Sequence, residues 1–255
     1  MKNINALLYG TKSIEGAPSL ISIEDVDCAI AYCGLKELDA EINLQDNWLK
    51  FQAKDFELYS VCIGGVQNCR IALFKMGLRD FDIPCYPKEL VPFMGRSIEI
   101  TTIGKVIHMG AKLKKHGAKF VKPILPKKFN AFLTSDEDAY SSLYNVEYDE
   151  KVYVSDVVKF ISEWRVYVKQ DEIMRICNYS GKTTVFPSVN VIRTMIESWE
   201  GPCCYALDVG IVGDQTKLVE VNDFYSIGNY GLFPTEYIDM LILRWNELRG
   251  NKLLT

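Results

Sequence analysis

Residues 206–230 read ALDVGIVGDQTKLVEVNDFYSIGNY, where Leu207, Val209 and Ile211 alternate with Asp208 and Gly210 while Val219 and Val221 alternate with Glu220 and Asn222. A period of two gives each run one apolar and one polar face. Gly213, Asp214, Gln215 and Thr216 carry turn chemistry between them, so the pair is expected to form a hairpin. A three-residue loop, Asp214 to Thr216, sets Gly213 against Lys217 and Asp208 against Asn222, with Glu220 on the same face. A two-residue loop moves Asp208 to the other side. Two carboxylates set close together repel unless a cation or proton intervenes, and Mg²⁺ takes one or two carboxylates while leaving other positions to phosphate and water. A half-exposed hairpin with solvated polar residues has the same pattern, and only the remaining sequence separates the two readings.

With 255 residues, 48% hydrophobic and 24% charged, the chain is long enough for a substantial core and for two domains, or one domain with a smaller lobe. A net charge of -4 gives no broad basic surface, so no nucleic-acid partner is expected. No run of 18 apolar residues occurs and the opening MKNINALLYG is too short in apolar residues for a signal peptide, which makes the cytoplasm the default location, with no membrane partner. The eight cysteines form no CxxC pair and only His108 and His116 are available beside them, so they read as buried free thiols. A hydrolytic triad has little support.

Along the first 90 residues short strand candidates mix with amphipathic helices: LYSVCIGG reads as a buried strand and VQNCRIALFKMG as a helix stopped by Gly77. The prolines of IPCYPKELVPF mark a boundary, giving an N-terminal domain of residues 1–90 and a second of 91–255. The second is strand-rich: SIEITTIGKVI, AKFVKPI, VYVSDVVKF, EWRVYV and EIMRICNYS are strand candidates. SVNVIRTMIESWEG is expected to be a helix capped by Ser188 or Asn190, and PTEYIDMLILRWNELRG a final helix with Pro234 in its first turn and Gly250 as its stop. The fold class is α+β with a largely antiparallel second half.

Lys122, inside a strand among Val121, Pro123 and Ile124, needs a partner or a route to water, and a bound phosphate is one such partner. Lys127 and Lys128 follow in PKKFNAF, and Arg165 alternates with Glu163 and Tyr167 against Trp164, Val166 and Val168. A structural Glu163–Arg165 pair is the plain explanation of that alternation. Together, cations for a polyphosphate and oxygen ligands for Mg²⁺ meet the needs of a nucleotide triphosphate site without a glycine-rich P-loop. GxxxxGK[ST], HRD, DFG and KxDG are all absent.

The order K-P, then E-x-R within a strand, then Asp208 followed by E-x-N resembles the ATP-grasp ligases of the glutathione-synthetase and RimK-like group. FVKPILPKKF, VYVSDVVKFISEWRVYV and VEVNDFYSIGNYGL resemble, more narrowly, the small ATP-grasp clade of bacteria and their phages named for one arginine and two lysines. The resemblance runs from about Arg96 to Trp245. It implies an ATP-grasp fold, with two α+β subdomains holding ATP between antiparallel sheets, preceded by a smaller α/β domain. By position it implies that Lys122 contacts the α and β phosphates, that Lys127 or its neighbour Lys128 is the second lysine, and that the backbone of Asp156 and Val157 binds adenine. Glu163 falls at the ribose contact, Arg165 at the γ-phosphate or an acyl-phosphate, and Asp208, Glu220 and Asn222 at Mg²⁺, as one ion or two. Lys105 occupies the region of the usual first ATP lysine, and Arg96 is either a further phosphate or substrate contact or a surface pair. Arg165 and Lys127 are the catalytic candidates. The long glycine-rich loop common in such enzymes after the K-P strand is missing here.

The implied activity is ADP-forming ligation of a carboxylate donor to an amine acceptor, a peptide, protein or amino acid, through an acyl-phosphate. A nucleotide-binding module that has lost ligation, or a kinase stopping at phosphoryl transfer, stands as the alternative. Tyr225, Ser226, Gly228, Asn229 and Tyr230 form either an acceptor loop or a tight turn and nothing more.

Overall fold

The computed structural model describes residues 4–12, 21–23, 25–125 and 128–250. The chain opens with β1 (Asn5–Tyr9), β2 (Thr11–Lys12), β3 (Ile21–Ser22), α1 (Val26–Glu37), β4 (Glu41–Gln45), α2 (Ala53–Glu57), β5 (Val61–Ile63) and α3 (Val66–Lys75). β1 lies between β4 and β5 and pairs in parallel with both. Parallel pairing needs a crossover, and α1 supplies the one between β1 and β4. Asp25 starts α1 by accepting from Cys28 N at 2.9 Å, and α3 ends before Gly77, whose φ of +86° turns the chain away.

A second unit follows with β6 (Ile98–Thr102), α4 (Ile103–His116), β7 (Lys119–Pro123), β8 (Phe132–Leu133) and β9 (Lys151–Asp156), an antiparallel sheet in the order β6-β9-β7-β8. The strand expected through Ile107 stops at Thr102. Thr102 instead caps α4, its Oγ1 accepting from Lys105 N, and the β-branched run conceals the switch from a period of two to a helical one that buries Ile103 and Val106.

The third unit contains β10 (Ser162–Lys169), β11 (Glu172–Gly181), α5 (Val189–Glu197), β12 (Cys204–Val212), β13 (Gln215–Asp223) and α6 (Pro234–Leu248). Its sheet is antiparallel in the order β11-β10-β12-β13. Ser188 caps α5, and Pro234 opens α6. Trp164, Val166, Val168, Leu207, Val209 and Val221 bury one face of this sheet against α5 and against Leu90 and Met94. On the other face Tyr167 and Ala206 join α6 and the parallel sheet in one core, where Trp245, Leu7 and Leu35 are fully buried. Each such side chain contributes roughly 1.5–3 kcal/mol. No helix among the described residues is long and apolar enough to cross a membrane.

The hairpin differs from the expected register. Its loop is the two residues Gly213 and Asp214, since Val212 pairs with Gln215, and Gly213 takes the positive φ of +63° that a primed turn needs at its first position. Gly210, not Gly213, faces Lys217. A bulge between Asp208 and Val209 on β12, opposite Leu218 to Glu220, then absorbs one extra residue, so Asp208 pairs with Glu220 and not with Asn222. The short loop alone puts Asp208 on the wrong side, and the bulge brings it back. Arg96 holds this irregularity: its Nη1 donates to Leu218 O at 2.9 Å and its Nη2 to Val219 O at 2.7 Å.

Candidate active site

A cleft of about 640 Å³ opens where the three units meet. Its walls include Asp25, Asp27 and Gly64 from the first unit, Phe120, Lys122 and Phe129 from the second, and Arg165, Glu220, Asn222 and Asp223 from the third. Strand period two explains the last set: Arg165 of β10 lies opposite Asp208 of β12, which lies opposite Glu220 of β13. Glu220 and Asn222 are two residues apart and share a face.

The contacts are dense. Arg165 donates Nε to Asp208 Oδ1 at 2.8 Å and Nη2 to Asp208 Oδ2 at 2.7 Å, a two-point pair in which Arg165 is 7% and Asp208 3% exposed. Asn222 Nδ2 donates to Asp208 Oδ2 at 3.0 Å and to Glu220 Oε1 at 3.2 Å. Lys122 crosses from β7 to make an ion pair with Glu220 Oε2, with its ammonium 5.6 Å from the centre of the Tyr86 ring. The tetrad therefore matches two carboxylates with two cations.

Burial sets the electrostatics. It pushes the Asp208 carboxyl up, with the Arg165 guanidinium pulling against it. At Glu220 burial is outweighed by Lys122, which holds the carboxyl below the usual glutamate range. Burial disfavours the charge of Lys122 and of Arg165 too, but Glu220 and Asp208 respectively raise both above their ordinary values.

The donor chemistry fits Mg²⁺. Among the described residues no three His, Cys, Asp or Glu gather, so the acidic set is two carboxylates with an amide beside them, the number this ion takes when phosphate and water complete its octahedron. Since Lys122 and Arg165 already neutralise both carboxylates, an incoming cation fits best together with an anion that draws the two side chains away.

Other sequence candidates fall elsewhere. Lys127 lies outside the described residues, and its neighbour Lys128 pairs with Glu150. Lys105 is exposed in the first turn of α4 and does not line the cleft. Asp156 ends β9, paired with Lys119 at 2.6 Å and Ser97 at 2.7 Å, and Val157 is 47% exposed at the start of the connection to β10. Neither they nor Glu163 line this cleft. Glu163 accepts from Tyr179 Oη at 3.1 Å, so the partner of Arg165 is Asp208 across the sheet and not Glu163 on its own strand. Arg96 donates to the bulge carbonyls of Leu218 and Val219.

Sequence reading missed the acidic side of the cleft. Asp27 accepts from Asn229 N at 2.7 Å, Asp82 pairs with Arg70 at 2.5 Å, and Asp223 pairs with Arg244 at 2.6 Å. The 226–231 loop is tied down on several sides: Ser226 Oγ donates to Gly64 O at 2.9 Å, and Gly228 O accepts from both Arg165 Nη1 and Tyr167 Oη. Tyr230 covers Arg165, its ring centre 4.6 Å from the guanidinium, and stacks on Tyr179. The thiol of Cys28, also in the cleft wall, is buried and pushed far up by desolvation, which leaves it a poor nucleophile.

Among solved structures the chain is similar to the D-alanine–D-alanine ligase from Bacillus anthracis complexed with ATP, with a TM-score of 0.57 and 11% identity over 97% of this chain and 98% of that one. It is also similar to a RimK domain ATP-grasp protein from Sphaerobacter thermophilus, with a TM-score of 0.54 and 16% identity over 94% of this chain and 99% of that one. Both place the chain in the ATP-grasp fold, with its two antiparallel sheets about the cleft. Residues 93–240 match the ATP-grasp domain of R2K clade family 2, and the chain belongs to that family. None of the curated proteins matches it.

Proposed function

We propose that the chain is an ATP- and Mg²⁺-dependent ligase that joins a carboxylate to an amine through an acyl-phosphate. The observation that supports this most is the meeting of Lys122, from one sheet, with Glu220, Asn222, Asp208 and Arg165 of the other. Two cations and two carboxylates that neutralise each other can be re-partnered by a triphosphate and its metal with little loss of charge balance. In this reading Asp208, Glu220 and Asn222 hold Mg²⁺, which when bound neutralises charge on the transferring phosphate. Lys122 turns to the α and β phosphates and Arg165 to the γ-phosphate, with Glu163 at the ribose and the backbone of Asp156 and Val157 at adenine. Lys127 is the remaining phosphate contact of this reading, and 1–90 and 91–255 serve as substrate-side and nucleotide domains.

The donor carboxylate oxygen attacks the γ-phosphorus as the bond to ADP breaks. The acceptor nitrogen then attacks the acyl carbon as phosphate leaves. Arg165 is also held by Gly228 O and by the Tyr230 ring, contacts that do not involve the carboxylates and that keep its guanidinium in place beside the developing charge when Asp208 turns to the metal. The similarity to a D-alanine–D-alanine ligase supports an amide-forming class, with a peptide, protein or amino acid as substrate.

Incubation with Mg-ATP, pooled amino acids and short peptides, and hydroxylamine tests the reading. Donor-dependent ADP with a hydroxamate supports the ligase. Tight ATP binding without turnover points to a binding module, and ADP with a phosphorylated product that hydroxylamine leaves intact points to a kinase.

A further inference from the structure

We propose that Asp27 receives the acceptor amine, holding its ammonium in the cleft and taking its proton, an assignment that rests on the ligase reading above. Asp27 stands in the first turn of α1, where an acidic residue ordinarily serves the helix amides. Here Asp25 already does so through Cys28 N, and Asp27 turns away. Its Oδ1 accepts from Asn229 N at 2.7 Å, and its Oδ2 lies 3.4 Å from where a Cβ on Gly228 would stand. That same position is 3.7 Å from Arg165 Nη1, so glycine at 228 leaves an open approach between carboxylate and guanidinium.

Charge accounting within the cleft singles out this residue. Asp82 is paired with Arg70, Asp223 with Arg244 and Glu220 with Lys122. Among the described residues of the cleft wall, only Asp25 and Asp27 are carboxylates without an ion-pair partner, and Asp25 is exposed. Asp27 is half-buried, where a cation gains more than it does in water. The groups that face it are Asp25, the N-cap of α1, Cys28 from α1, Arg165 from β10, Tyr237 from α6 and the Asn229 amide. Burial pushes its carboxyl up, with the Asn229 amide and Arg165 pulling it down and Asp25 adding to the rise, which brings its proton affinity closer to that needed by a base.

The step balances as follows. The ammonium gives one proton to Asp27, and the freed nitrogen lone pair attacks the acyl carbon. The C–N bond forms, the C–O bond to phosphate breaks, and phosphate leaves with that electron pair and the nitrogen's second surplus proton. Asp27 then returns its own proton to solvent.

Asp27→Asn is the informative variant because it keeps an oxygen for the Asn229 amide and removes only the charge. Wild type and variant are given Mg-ATP and the twenty amino acids as donors and acceptors, with or without hydroxylamine, which is a neutral nucleophile at pH 7.5 and needs no base. The expected result is a ratio of amide to hydroxamate at least tenfold lower in Asp27→Asn, with an amide rate that climbs about tenfold per pH unit between pH 7 and 9 as free amine appears. Asp27→Glu should restore the ratio. An unchanged ratio, or hydroxamate without any amide from wild type, overturns the assignment and leaves acyl-phosphate formation standing. Wild type that yields neither product removes the ligase reading and this assignment with it.

Discussion

Arg165 and Asp208 face each other on adjacent strands and join through two parallel hydrogen bonds of 2.8 and 2.7 Å. Arg165→Met would strand a carboxylate that is 3% exposed, and the loss of one partner of a buried pair costs about 3–5 kcal/mol. Urea unfolding should show that loss. A change below about 1 kcal/mol would mean that water reaches Asp208 and that the pair is not a structural element.

Because Lys122 and Arg165 occupy the carboxylates, nucleotide and metal should bind each other's complex far better than either binds alone. Calorimetry with a non-hydrolysable ATP analogue is expected to give an affinity at least tenfold higher with Mg²⁺ than with a chelator, about 1.4 kcal/mol of coupling. Lys122→Met frees Glu220, so Mg²⁺ alone should bind more tightly to it than to wild type while the nucleotide alone binds more weakly. Equal nucleotide affinity with and without metal would refute the coupling.

Glu220→Gln keeps the shape and the bond to Asn222 while removing a charge that a divalent ion needs. Turnover and Mg²⁺ affinity should fall on the order of a hundredfold or more, with only a modest change in melting temperature. A large drop in melting temperature with ATP binding intact would instead mark Glu220 as structural.

The start of α6 carries a pH signature. Glu236 accepts from Arg175 Nε at 2.7 Å and from Phe233 N at 3.1 Å, and the Arg175 bond first among these holds its carboxyl below the usual value of 4.5. A lowered folded pKa means that the stabilisation is fully present above the unfolded value and disappears as pH falls through the folded one. Melting temperatures measured from pH 6 down to pH 3 should therefore fall less steeply in Glu236→Gln than in wild type. Parallel curves would show that the pair contributes nothing, as many exposed pairs do.

Much of this architecture was readable from local chemistry, and the reason is range. Ser188, Gly77 and Pro234 mark helix ends through bonds or backbone angles within a few residues, and they stand where their residue types predict. The strand-to-helix change at Thr102 was hidden because Ile, Thr and Val satisfy both periods over so short a run. Arg96 and Asp27 were opaque for another reason. Their partners Leu218 and Asn229 lie 122 and 202 residues away, and no pattern in one sequence states such a pairing. That Asp208, Glu220 and Asn222 come together was legible because they alternate along strands, whereas their order across the hairpin depended on a loop length and a bulge that compensate each other.

That bulge has a consequence of its own. A chain without Val219 would close as a regular two-residue hairpin and still set its aspartate opposite its glutamate, so the acidic pair does not require the additional residue. What the extra residue supplies is a carbonyl for Arg96, immediately ahead of Ser97 and β6. One guanidinium thus fastens the root of the smaller sheet to the donor strand, and Lys122 with Glu220 fastens its far side. The smaller sheet is therefore tied to the larger one at two points of different character, a guanidinium on backbone carbonyls that carries no counter-charge and an ammonium on a carboxylate that does.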